Sequence, residues 1–276
     1  MKVIAIVGKK DSGKTTIVST IVKKLSEKGP VGTIKYMKNH NFLDIDTDTG
    51  KHFEAGSNVV TGILDDGMIT YSKKISLTDA IENMANSGIK YLIIEGGKKT
   101  RVPKILVGNL PSNERIDNIK AHIDSFNEQE IESAIQIIYS LEDTVTLNSL
   151  INRVKSNSNI KKAGAVGTFT GIVREITGNL QTQRLVFEKY DILAQKQIKE
   201  ITDKLKQQEG IVDVLIHHKS GHIEPAEDIV YIVVAASHRQ QLFPVLSEAI
   251  ELVKEKVPIW KKEFTFDGEF WVHDKN

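Results

Sequence analysis

The chain has no cysteine among its 276 residues. Disulfides, cysteine-ligated zinc, iron–sulfur clusters and thiolate nucleophiles are thereby excluded together. A surplus of either charge is also missing, with 37 Lys and Arg against 36 Asp and Glu. A general nucleic-acid binder normally carries an excess of basic side chains, so no nucleic-acid partner is expected, although local basic clusters remain open. No stretch approaches the roughly 18 continuous apolar residues of a membrane-spanning helix. Residues 1–8 offer six apolar side chains before a charged glycine turn. That is too few for a secretory signal, and no small-residue cleavage site follows. The segment reads as a strand of a cytoplasmic protein with no membrane partner. Internal repeats and low-complexity tracts are absent as well.

What is present is an ordinary globular composition, 40% apolar, over a length that suits about two domains. Residues 3–7 form a strand. Residues 15–28 place Ile17, Val18, Ile21, Val22 and Leu25 at helical spacing, and Gly29-Pro30 stops the helix. Further strands at 31–36, 58–61, 68–71, 91–94 and 104–107, with a helix near 77–86, predict an α/β domain. Its sheet is mostly parallel, with ligand loops at the strand C-terminal ends. The pattern weakens from Pro111 to about residue 127, and a helix over 128–141 closes the domain. The boundary falls at Glu142-Asp143-Thr144, giving domains of residues 1–142 and 143–276. The second opens with a short helix at 147–154 and a polar surface loop at 155–162. Strands follow at 163–173, 185–190, 211–217 and 229–236, with helices at 192–208 and 241–256. Pro258 ends the last helix. A hairpin of residues 260–266 and 269–273 then turns at Asp267-Gly268.

Gly8-Lys9-Lys10-Asp11-Ser12-Gly13-Lys14-Thr15 satisfies the eight-position phosphate loop, after a strand and at the opening of a helix. Glycines let backbone N–H groups curl around an anion, and the helix N-terminus adds partial positive charge. The candidate nucleotide-binding residues are Gly8, Lys10, Asp11, Ser12, Gly13, Lys14, Thr15 and Thr16. Lys14 should reach the β/γ-phosphates, and the Thr15 hydroxyl should ligate Mg²⁺. Glu95 ends the most apolar strand, where a carboxylate would act on the metal through water. Asp44, Asp46 and Asp48 cluster in one polar loop, either a metal or water site or a solvated acidic turn. Asp48 joins Thr15 and Glu95 as a candidate metal residue. No guanine-specific Asn/Thr-Lys-x-Asp loop is evident, and Lys35-Tyr36-Met37-Lys38-Asn39 does not replace it.

In the second domain, Ser237 and Gln240 predict a capping box with His238 and Arg239 in the first helical turn. Two basic groups there oppose the helix dipole, a conflict that a bound anion would relieve. The alternative is a solvent-exposed pair. Lys254 lies in the last turn, where a lysine is ordinarily favourable. Lys261 follows across the Pro258 corner, beside Trp260. Seven residues apart across that corner the two could face one cleft, where proximity and partial burial would lower a lysine pKa towards the range of a nucleophile or base; the alternative for Lys254 is an ordinary helix-end lysine. Arg174 ends the first strand after Thr170-Gly171-Ile172-Val173, where the glycine marks a bulge or a close ligand approach.

Residues 1 to about 108 resemble the adapter family of molybdopterin–guanine dinucleotide synthesis. The resemblance rests on the phosphate loop with Thr15-Thr16, Ile34-Lys35, Leu43-Asp44-Ile45-Asp46, Asp48-Thr49 before Glu54-Ala55-Gly56, Ile94-Glu95-Gly96, Lys98 and Pro103-Lys104-Ile105. The chain departs from the family pattern at Tyr36 and Asn39, where members often carry His, and at Asp46-Thr47, where Gly-Lys is usual. The resemblance implies GTP binding with Mg²⁺, hydrolysis that is weak if it occurs, and contact with the guanylyltransferase that makes the dinucleotide cofactor.

Residues 145–276 are similar to the large, catalytic subunit of molybdopterin synthase. The match is carried by Ala163-Gly164-Ala165-Val166, Thr168 to Arg174, Glu188-Lys189-Tyr190, Gly221-His222-Ile223, Glu227-Asp228-Ile229-Val230, Ala236-Ser237-His238-Arg239 and Lys254 to Glu263. At Ala226 the family commonly has Gly. The resemblance implies an α+β domain of the alpha/beta-hammerhead type and a homodimer. A small ubiquitin-like partner inserts a thiocarboxylated Gly-Gly tail, and two sulfurs pass in turn to cyclic pyranopterin monophosphate. The absence of cysteine fits, because the partner brings the sulfur, and no tightly bound cofactor is implied for the transfer. By the same resemblance Lys254 contacts the tail, Lys261 handles substrate or protons, and Arg174, His238 and Arg239 hold the substrate phosphate. Phe169 and Trp260 shape the pocket or pack in the core. Two other readings stay open: a non-catalytic GTP-dependent scaffold, and a kinase acting on a small substrate.

Overall fold

The computed structural model describes residues 1–37, 44, 46–110, 114–178, 180–189 and 191–272. Lys38, Asn39, Leu43, Ile45, Pro111, Tyr190 and His273, named above, lie outside the described residues. The chain divides into two compact units, Met1–Thr144 and Val145–Asn276.

The first unit runs β1 (Lys2–Gly8), α1 (Lys14–Ser26), β2 (Val31–Lys35), α2 (Asp48–Glu54), β3 (Val59–Leu64), β4 (Gly67–Ser72), α3 (Leu77–Asn86), β5 (Tyr91–Glu95), β6 (Lys104–Val107), β7 (Ile119–Ile123) and α4 (Glu128–Ser140). Its five-stranded sheet has the order β2-β5-β1-β6-β7, and every pairing is parallel. The near-continuous apolar strands follow from burial on both faces. On one face Ile4 and Ile6 of β1 pack with Ile17, Ile21 and Leu25 of α1 and Ile131, Ile135 and Ile138 of α4. On the other, Val3, Ala5 and Val7 meet Leu77, Ile81 and Met84 of α3.

Three local expectations change. The strands near 58–61 and 68–71 form an antiparallel hairpin of their own, outside the parallel sheet. A fifth sheet strand, β7, occupies the stretch where the pattern weakened; Lys120 and His122 are exposed, so the alternation carries few apolar residues. The polar loop runs into helix α2, with the Thr47 hydroxyl capping the Gly50 N–H at 3.1 Å.

The second unit runs α5 (Leu147–Lys155), β8 (Ala165–Ile172), β9 (Ile176–Thr177), β10 (Leu180–Lys189), α6 (Asp191–Lys206), β11 (Ile211–His218), β12 (Gly221–Ile223), β13 (Asp228–Ala236), α7 (Arg239–Lys256), β14 (Ile259–Thr265) and β15 (Gly268–Val272). It is an α+β domain with two antiparallel sheets, β11-β13-β8 and β12-β10-β14-β15. β13 is the buried centre of the first sheet. Tyr231, Val233 and Ala235 pack on Leu150 and Val154 of α5, while Ile232, Val234 and Ala236 pack on α6 and α7.

Helix α7 begins at Arg239, with His238 as its N-cap and no side-chain cap bond. The predicted Ser237–Gln240 capping box is therefore not formed. Ser237 directly follows β13, its N–H donating to the Gly210 carbonyl at 2.7 Å, so its hydroxyl precedes the cap position by one residue.

Candidate functional site

The phosphate loop is shaped by steric need. Gly8 ends β1, and a Cβ there would lie 2.6 Å from the Val107 carbonyl oxygen and 2.9 Å from Ser12 Oγ. Asp11 and Gly13 take left-handed backbone, at φ 60° and 79°. Helix α1 then starts at Lys14 with no side-chain cap and no acidic residue in its first turn. Its leading N–H groups and dipole face the loop, the arrangement that receives an anion. Residues 10–16, with Lys35, Tyr36 and Glu95, line a cavity of about 530 Å³. The Lys14 ammonium donates to the Lys9 carbonyl and lies 3.4 Å from Ser12 Oγ. Burial holds its pKa below the usual lysine value, against the opposing pull of Glu95.

The Thr15 hydroxyl donates to Glu95 Oε1 at 2.8 Å, and Lys35 Nζ lies 3.1 Å from the same oxygen. Hydroxyl and carboxylate oxygens side by side are hard donors that suit magnesium. Asp48 is not brought to them. It is the first residue of α2, its side chain is exposed and it pairs with Lys51 at 3.4 Å. An acid in a first helical turn is satisfied by the helix dipole, which accounts for Asp48 without a metal. Among the described residues no cluster of three or more His, Asp and Glu is placed to hold an ion.

In the second unit a cavity of about 720 Å³ opens among β8, β10, β11, β13, α7, β14 and β15. Lys254 reaches it from the last turn of α7, Lys261 from the start of β14, and Arg174 from just beyond β8. Lys254 is exposed and lies 3.5 Å from Glu251 Oε1; Lys261 is half-buried. Gly171 also lines the cavity, opposite a bulge between Asp228 and Val230, where a Cβ would meet Val230 Cγ1 at 2.8 Å. Phe169 contributes to the wall, whereas Trp260 is exposed and does not.

His238 and Arg239 are not part of this cavity. They stand at the opposite end of α7, and fifteen residues at 1.5 Å each separate Arg239 from Lys254 by about 22 Å. One chain therefore assembles two lysines and one arginine, and leaves the histidine–arginine corner elsewhere.

Comparison with known proteins fits this division. A family model described as MoaE protein matches residues 141–256, and one described as Molybdopterin guanine dinucleotide synthesis protein B matches residues 3–125. A Haloferax volcanii protein named "Probable molybdopterin synthase" is 32% identical over 277 residues, 100% of this chain and 100% of its own length. The chain belongs to the molybdopterin synthase family. The molybdopterin synthase catalytic subunit of Pyrococcus abyssi is 33% identical over 140 residues, covering 51% of this chain and 91% of its own length. The X-ray structure of molybdopterin synthase from Staphylococcus aureus is 37% identical, covering 41% of this chain and 82% of that one, with a TM-score of 0.39. The match of the first unit to the dinucleotide-synthesis family implies that it binds GTP. No helix among the described residues is long and apolar enough to cross a membrane.

The cavity holds further polar groups that sequence reasoning did not single out. Glu263 is 8% exposed and accepts a hydrogen bond from the Thr182 hydroxyl, itself 3% exposed. His218 sits edge-on to Phe187 at 5.1 Å. Strand periodicity carries the signal for Glu263, because residues two apart share a face and Lys261 points inward. Thr182 and His218 carry no comparable signal; only the pairing of β10 with β14 and of β11 with β13 brings their strands together around the cavity.

Proposed function

We propose that residues 143–276 perform the sulfur transfer of molybdopterin synthase at the 720 Å³ cavity, and that residues 1–142 form the GTP-binding adapter. The observation that carries the catalytic assignment is the meeting of Lys254, Lys261 and Arg174, from three separate segments of the chain, around one cavity. Lys254 contacts the terminal carbonyl of a thiocarboxylated tail brought by a small ubiquitin-like partner. Lys261 holds or moves a proton at the pterin substrate, and Arg174 binds its phosphate. In each transfer a C–S bond forms to cyclic pyranopterin monophosphate and the tail's own C–S bond breaks; the oxygen that replaces the sulfur, from water or from the precursor carbon that takes the sulfur, returns the tail as a carboxylate.

His238 and Arg239 keep a role in phosphate binding if a second copy supplies them, so the working form is a homodimer whose sites draw on both chains. In the adapter, Thr15 and Glu95 hold Mg²⁺, which neutralises phosphate charge when bound, and Lys14 contacts the β/γ-phosphates. The adapter also meets the guanylyltransferase that consumes the product.

Lys261→Ala tests the catalytic assignment. With precursor and thiocarboxylated partner supplied, turnover should fall about a hundredfold or more, the scale of a lost proton-transfer group. The thermal midpoint should move by less than about 4 °C, as for a loss under 1 kcal/mol. Unchanged turnover, or a loss matched by unfolding, would remove Lys261 from the chemistry.

A further inference from the structure

Beside the phosphate cavity lies a second one of about 280 Å³. It shares Ser12, Gly13 and Thr16 with the first, so the two are continuous along the start of α1. Its far wall is made by Gly108, after β6, and by Asp124, Ser125 and Phe126, after β7. The strand order β2-β5-β1-β6-β7 places Glu95 on one side of the phosphate loop and this cavity on the other. A nucleotide whose terminal phosphates lie beside Lys14, Thr15 and Glu95 directs its sugar and base to the β6–β7 side. That side is also beyond the strand C-terminal ends, where open α/β sheets receive ligands.

The wall is held firmly while its recognition groups stay unused. The N–H groups of Asp124 and Ser125 donate to Glu130 Oε2 at 2.7 and 3.2 Å. Ser125 Oγ and Asn127 Nδ2 donate to Glu130 Oε1 at 3.0 and 3.1 Å. Asn127 in turn caps α4 through the Glu130 N–H at 2.9 Å. On this fixed backbone the Asp124 carboxylate is exposed and makes no hydrogen bond or ion pair among the described residues. The Phe126 ring, 60% exposed, lies open beside it.

We propose that this cavity receives the base of the bound nucleotide, that Asp124 selects guanine, and that Phe126 stacks on the ring. The inference rests on GTP binding by this unit. Guanine presents two adjacent donors, N1–H and the exocyclic 2-amino group, which a carboxylate accepts together. Adenine turns a ring-nitrogen lone pair towards the same place and is repelled. Asparagine would instead accept N1–H and donate to the C2 carbonyl of xanthine, so the preference can be moved as well as lost.

The test is titration of the full chain with GTP, XTP and ATP. For Asp124→Asn, GTP should bind about ten- to hundredfold more weakly and XTP at least about tenfold more tightly than for the parent, with ATP little changed. Phe126→Ala should weaken the parent's preferred nucleotide about tenfold. The gain of XTP binding also shows that the variant is folded. If the parent prefers GTP and Asp124→Asn leaves that preference intact, the base site is wrong and nucleotide binding stands. A parent that binds none of the three overturns both.

Discussion

At the scale of single residues, Ala226 is one of three non-glycine residues with left-handed backbone among the described residues, at φ 66°. Its N–H donates to the Val173 carbonyl at 2.9 Å, which fixes the turn in that conformation. An alanine pays a steric cost there that glycine avoids, partly offset by the greater freedom of glycine in the unfolded chain. Ala226→Gly should therefore stabilise the second unit by about 0.5–1 kcal/mol in a denaturant melt; a destabilised variant would show that the turn carries no strain. Legibility at this scale follows chemistry tied to local sequence. The phosphate loop could be read because its residues are contiguous, and Lys254 and Lys261 because a proline corner joins them. Asp48 was less legible, because an acid at a helix start and an acid beside a metal look alike without the fold, and here it opens α2 and pairs with Lys51.

At the scale of elements, β6 carries Lys104, a lysine with no exposed surface. Its ammonium donates to the carbonyls of Thr100, Val102 and Asp117 at 2.5, 3.0 and 3.1 Å. These bonds tie the approach to β6 to the segment leading into β7, beside the strand that precedes the base cavity. Lys104→Met would leave three carbonyls unpaired and should cost about 2 kcal/mol, since relief of a buried charge offsets part of the loss. Burial also holds the Lys104 pKa below 10.5. In the window between its lowered value and 10.5 the unfolded chain binds more protons, so stability rises with pH. The methionine variant should lack that rise; parallel pH profiles for the two proteins would contradict it. The parallel sheet was legible from its apolar runs, but β7 was not, because only one face of its alternation is apolar. The β3–β4 hairpin was legible as strands and not as a separate sheet, since partner choice is a tertiary matter.

At the scale of the whole molecule, the chain joins two compact units, each with its own cavity and its own core. The sequence pattern already put His238 and Arg239 in the first turn and Lys254 in the last turn of one helix, which implies the roughly 22 Å between them; it did not carry which end of α7 meets the cavity, because the strands that wall the cavity are brought together by tertiary pairing. That separation makes the site of one chain incomplete as proposed. It is tested by preparing Lys261→Ala and Arg239→Ala proteins, each expected to be inactive, and allowing their subunits to exchange. Random pairing makes half of the dimers mixed, and each mixed dimer contains one site with both groups intact, so about a quarter of parental molybdopterin formation should return. A mixture as inactive as its components, with exchange verified, would contradict a site built from the positive charge of two copies.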